Sequence, residues 1–122
     1  MADNDMKVIC KADELAVHTF KLTSNSNRYP KKYRYSLVPK IQNKSLDIYL
    51  TLFEANRIDN RTDKRKRCEK ITEAITYCDE LLFFIRFSID LGLLAPGSAQ
   101  YWSKLATDVK CMAIGWRTKE KG

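Results

Sequence analysis

Between Arg57 and Ile71 the sequence reads RIDNRTDKRKRCEKI, seven cations against three acids, and the chemistry open to such a cluster is the holding of phosphates. Ammonium and guanidinium groups neutralise phosphodiester charge and release condensed counterions, the main source of sequence-independent affinity for nucleic acid. The cations are Arg57, Arg61, Lys64, Arg65, Lys66, Arg67 and Lys70. Folding alone does not favour them there, because a helix start exposes free N–H groups and the positive end of the macrodipole, which repels each cation by about 0.3–1 kcal/mol at low salt. A second group, RYPKKYRY, interleaves Arg28, Lys31, Lys32 and Arg34 with Tyr29, Tyr33 and Tyr35. Cations beside aromatic rings suit single strands, whose bases stack while their phosphates are neutralised. Each group also has a plainer explanation: the tyrosines cover the end of a helical domain, and the charged run is a solvated face.

Catalytic chemistry lacks its residues. His18 is the only histidine, and a lone imidazole beside an apolar stripe reads as a core or rim residue, not a general base. The Arg, four to six residues, His pattern of HEPN-type ribonucleases is missing after Arg28. No glycine-rich phosphate loop and no ExxH pair for a di-iron centre is present. Cys10, Cys68, Cys78 and Cys111 show no CxxC spacing and no neighbouring His, so they read as reduced thiols and the expectation is no metal and no cofactor. The chain reads as a non-enzyme.

The elements that position the cations follow from apolar spacing. Steps of three and four keep one helical stripe facing a partner, and four segments have them: Val8, Ala12, Leu15, Thr19 and Leu22; Val38, Ile41, Ser45, Ile48, Leu52 and Ala55; Cys68, Ile71, Ile75, Cys78, Leu82, Ile85 and Ile89; Trp102, Leu105, Val109, Met112 and Trp116. No stretch alternates with the period of a strand. The boundaries expected are helix 1 over about Met6–Ser24, Ser36 capping helix 2 with Pro39 in its first turn (the alternative being a start nearer Lys31 that leaves Pro39 inside as a kink), Thr62 or Asp63 capping helix 3, Gly92 ending it in the left-handed conformation, and Ser98 capping helix 4. The expected fold is all-α, an antiparallel up-down-up-down four-helix bundle, one domain spanning 1–122.

That topology brings WRTKEKG to the basic connection, so that Arg117, Lys119 and Lys121 join the seven cations in one pole, diluted by Asp3, Asp5, Asp59, Asp63, Glu69 and Glu120. Helix 3, at about 43 Å against about 30 Å for helices 2 and 4, is expected to overhang at its basic turn. The net charge of +7 points to a polyanion. The acidic start MADNDMKVIC and the absence of an 18-residue apolar run predict a cytoplasmic protein with no membrane partner. Leu81, Leu82, Phe83, Phe84, Ile85 and Phe87 cover more than one stripe, so Phe83, Phe84, Arg86 and Phe87 are a candidate self-association face, with Arg86 also able to pair with Asp90.

The run YPKKYRYSLVPKIQNKSLDIYLTLFEANR, the basic connection, ITEAITYCDELLFFIRFSIDLGLL and KCMAIGW together resemble the four-helix-bundle proteins related to those encoded in intervening sequences of bacterial ribosomal RNA genes. Within that group the chain looks most like the accessory variability determinant (Avd) proteins of diversity-generating retroelements, over Leu15 to Arg117, with Glu54, Ala55 and Asn56 closing helix 2 and Gly115 before Trp116 as cues. Pro39 departs from the polar residue of that pattern. The resemblance implies a homopentameric barrel of bundles with a positive surface, binding RNA or DNA and a reverse transcriptase during mutagenic copying, without catalytic residues. The alternative is an oligomeric scaffold with no specific nucleic-acid role.

Overall fold

The structure, a computed structural model, describes residues 3–121, with side chains from 6 to 121. Four helices account for most of it: α1 Asp3–Thr23, α2 Leu37–Arg57, α3 Lys64–Asp90 and α4 Pro96–Lys121, with one short 3-10 turn at Lys31–Tyr33 and no strand among the described residues. They pack α1 on α2, α2 on α3, α3 on α4 and α4 back on α1, a helical bundle. None of the described helices is long and apolar enough to cross a membrane.

The apolar stripes meet at the centre. Leu15 from α1, Ile41, Ile48 and Leu52 from α2, Ile71, Leu81 and Ile85 from α3 and Trp102 from α4 are essentially inaccessible to solvent. Burial of an aliphatic or aromatic side chain of this size contributes about 1.5–3 kcal/mol. Thr19 and Ser45, polar residues on the stripes, are also buried, and each hydroxyl is satisfied locally: Thr19 donates to the Leu15 carbonyl at 2.7 Å and Ser45 to the Gln42 carbonyl at 2.7 Å. Thr19 Oγ1 accepts a second bond, from Trp102 Nε1 at 2.9 Å, which fixes the height of α4 against α1. Tyr29, in the first connection, is 3 % exposed and donates to Ser88 Oγ at 2.8 Å, while Ser88 donates to the Phe84 carbonyl at 2.9 Å. That connection is thereby fastened to α3.

The helix ends agree with the sequence in part. Gly92 has φ +79° and closes α3 with paired bonds, its own N–H to the Ile89 carbonyl and the Leu93 N–H to the Ser88 carbonyl, both 2.9 Å; only a residue that tolerates positive φ closes a helix this way at low cost. Pro39 sits in the first turn of α2, where it forfeits no helical bond. Ser36 and Asp63 occupy the caps of α2 and α3, but neither side chain bonds the helix. The start of α4 is a correction: Pro96, not a residue after Ser98, opens it, with the Ala95 carbonyl accepting from the Ser98 and Ala99 N–H groups at 3.0 and 3.2 Å. Proline's fixed φ suits a first helical position.

That earlier start, with a helix running on to Lys121, changes the lengths. The 27 residues of α3 span about 40 Å and the 26 of α4 about 39 Å, against about 32 Å for the 21 of α2. The first turns of α3 do not overhang alone, because α4 accompanies them.

Cys78 lies at the centre of the bundle, and burial pushes its thiol up to about 12, so it holds almost no thiolate at neutral pH. A thiol-disulfide reagent at pH 8 should modify the exposed Cys10 and Cys111 in the folded protein and reach Cys78 only on unfolding. Modification of Cys78 at the rate of Cys10 would contradict this packing.

Candidate nucleic-acid interface

The connection from α2 to α3 and the end of α4 are brought together. Arg117 donates to Thr72 Oγ1 at 3.2 Å, Arg67 pairs with Glu120 at 3.1 Å, and Lys121 lines an open groove of about 640 Å³ with Lys64, Arg65, Cys68, Glu69 and Thr72. Lys119 stands exposed in the last turn of α4, and Arg57 in the last turn of α2. Two sequence segments about fifty residues apart thus supply one electropositive end, and cations in the last turns of α4 sit favourably on the negative end of its dipole. Asp3 and Asp5, expected to dilute this pole, have side chains outside the described residues.

Arg117 is half-buried on Thr72, and the other cations there are of three kinds. Lys64, Lys66, Arg57, Lys119 and Lys121 are exposed, with no described acid within ion-pair distance. Arg61, Arg65 and Lys70 are paired, to Asp59 at 3.3 Å, Glu69 at 3.2 Å and Glu54 at 3.0 Å. The Lys70 ammonium is held above the usual lysine range, first by its bond to Glu54, and the Arg61 backbone N–H holds the Asp59 carboxyl below its usual range. Glu54 therefore reaches across from α2 to α3. Solvent-exposed pairs of this kind contribute only about 0–1 kcal/mol, so a phosphate can take the cation from its carboxylate.

Arg67 is the third kind and leaves the phosphate-facing set. It is 7 % exposed, because its position, four residues before Ile71, falls on the buried row of α3. Its guanidinium donates to the Ile58 carbonyl at 2.7 Å and the Asn56 carbonyl at 3.5 Å, pairs with Glu120 and lies 5.1 Å from the centre of the Trp116 ring. Trp116 Nε1 in turn donates to Glu120 at 2.9 Å. A cation at the start of α3 is tolerated because it caps the last carbonyls of α2 and ties down the end of α4.

At the other end of α2, Lys31, Lys32 and Arg34 are exposed and Arg28 half-buried. The three tyrosines divide: Tyr29 belongs to the core, Tyr33 is partly buried with Lys32 Nζ 5.2 Å from its ring centre, and Tyr35 is 88 % exposed. Tyr35 is the ring free to stack on a base.

Of the candidate self-association face, Phe83 and Phe87 are exposed and stacked at 5.6 Å, Phe84 packs partly on the core, and Arg86 reaches Asp90 at 3.7 Å and the Phe83 ring at 5.4 Å. Sequence reading missed a second exposed apolar row on α2, Leu46, Leu50 and Phe53, with Tyr49 stacked on Phe53 at 6.3 Å. Its signal was present, since steps of four and three also mark the helix side opposite Ile41, Ile48 and Leu52.

His18 is half-buried against Tyr101, ring centres 5.0 Å apart, with burial the largest influence lowering its basicity. It is the rim residue its spacing suggests, although its Nε2 has no hydrogen-bond partner among the described residues. No group of three His, Cys, Asp or Glu among the described residues could hold a metal ion. No protein-family model matches the chain, and neither a curated protein nor a solved structure matches it.

Proposed function

We propose that this protein is a non-enzymatic, cytoplasmic nucleic-acid-binding accessory protein, an antiparallel up-down-up-down bundle that presents one basic pole to the backbone of RNA or DNA. The observation that carries it is the convergence of Lys64, Arg65 and Lys121 on one groove beside exposed Lys66 and Lys119. Residues from the middle and the end of the sequence are gathered there, and their mutual repulsion contributes nothing to folding. The antiparallel order is supported by cross-helix pairs whose numbers run in opposite directions, Lys44 with Glu80 and Glu54 with Lys70 between α2 and α3, Asp79 with Lys110 and Arg67 with Glu120 between α3 and α4.

The resemblance to the Avd proteins adds the setting: assembly into a homopentamer, partnership with a reverse transcriptase, and mutagenic copying in a diversity-generating retroelement. Phe83, Arg86 and Phe87, with Phe84 behind them, are the surface we assign to self-association.

Binding of a fluorescent single-stranded RNA or DNA, followed by anisotropy, tests the central reading. Each phosphate contact contributes about −0.9 to the log–log salt slope on duplex and about −0.7 on single strands. Affinity should therefore fall by orders of magnitude between 50 and 200 mM salt, as about six or more contacts require. Binding indifferent to salt, or none at 50 mM, would remove the nucleic-acid role and leave the scaffold.

A further inference from the structure

A second cavity lies between the end of α1, the first connection and the first turns of α2, with a volume of about 260 Å³, and it is more enclosed than the basic groove. Its walls are fixed by bonds already made: Gln42 Nε2 donates to Thr23 Oγ1 at 3.0 Å and to Ser24 Oγ at 3.5 Å, Thr23 donates to the Thr19 carbonyl at 2.7 Å, and Tyr29 is held by Ser88. What remains points one way chemically. The hydroxyls of Ser24 and Ser26 donate to no described residue, the Arg34 guanidinium has no described acid beside it, and no carboxylate lines the cavity. A lining with spare donors and no spare anion calls for an acceptor-rich, negatively charged guest.

We infer that this cavity is a binding site for a phosphate monoester. A monoester carries about −1.5 to −2 charges near neutral pH and three acceptor oxygens, which match one guanidinium fork and two hydroxyls, and charge-assisted bonds of this type are the strong ones. Three further cations, Arg28, Lys31 and Lys32, belong to the same connection. The space equals that of roughly nine waters at ~30 Å³ each, enough for a phosphoryl group and the sugar behind it. Walls on several sides suit a terminal group better than a mid-strand diester, which needs an exit at both ends. The phosphate is carried by the end of a nucleic-acid strand or by a free mononucleotide. Only the first source rests on the function proposed above.

The experiment compares one short single strand bearing a 5′-phosphate or a 5′-hydroxyl, with adenosine monophosphate as a separate arm, all on the full chain. The expected result is about tenfold tighter binding of the phosphorylated strand, the effect of one charge-assisted bond. In R34Q that ratio should fall to about one, and S26A should lower it while the hydroxyl strand binds as before, thermal melts confirming the fold of both variants. Equal binding of the two strands, or a ratio that survives R34Q, overturns the inference and leaves the salt-dependent pole standing. If no strand binds with salt dependence but adenosine monophosphate binds and R34Q abolishes it, the cavity stands and the nucleic-acid function falls.

Discussion

Replacing Arg67 with Gln should lower the melting temperature by roughly 10 °C or more, the largest loss expected from any single charged residue in this chain. The guanidinium holds the Ile58 carbonyl and the Glu120 carboxylate in a site where both partners of the ion pair are about one tenth exposed. Removing one partner of a buried pair costs about 3–5 kcal/mol, because the other charge is left dry and uncompensated. A domain of this size loses a few degrees for each kcal/mol, about 3–5 °C by interpolation between smaller and larger domains. E120Q should cost less, since its amide oxygen still accepts from Trp116 Nε1 and Arg67. The double variant R67Q/E120Q should regain part of what R67Q loses, as the orphaned charge is gone. An R67Q protein melting within a degree of the parent would show that the buried pair does not hold this end together.

The second large effect is on binding. Replacing Lys64, Arg65, Lys66 and Lys121 with Gln should leave the fold intact, as all four are exposed, and should flatten the salt dependence. Each lost phosphate contact on a single strand eases the slope by about 0.7, so four contacts make the fourfold rise from 50 to 200 mM salt about 50-fold less damaging to what affinity is left. Arg67 is kept out of this set deliberately: a variant that included it would lose binding by unfolding the pole, and could not separate a phosphate contact from a structural one. Retention of the parent's slope in the four-residue variant would show that the basic groove is not where the polyanion binds.

Much of this arrangement is legible in the residues, and the failures have physical causes. The inward rows, such as Ile41, Ser45, Ile48 and Leu52, are readable because a 3.6-residue period leaves few alternatives, and short connections then bring Lys121 to Lys64. Arg67 was hidden by its neighbours: in a run of four cations the eye counts charge, whereas its phase with Ile71 and Cys78 marks it as inward-facing. The start of α4 falls ahead of Ser98, a good capping residue, because Pro96, two residues earlier, suits the first helical position. The roles of Tyr29 and Tyr35 could not be separated by composition, since only the distance to Ser88, 59 residues away, tells which ring is core.

The bond from Tyr29 to Ser88 has a consequence for the neighbouring residues of that connection. A basic loop that hangs free must be immobilised on meeting a ligand, at about 1–2 kcal/mol for each residue's backbone. Here the anchor fixes the strand of chain that carries Lys31, Lys32, Arg34 and Tyr35 during folding itself, so little ordering is left for recognition to impose. Loosening that single phenol would weaken capture at this end without deleting one cation.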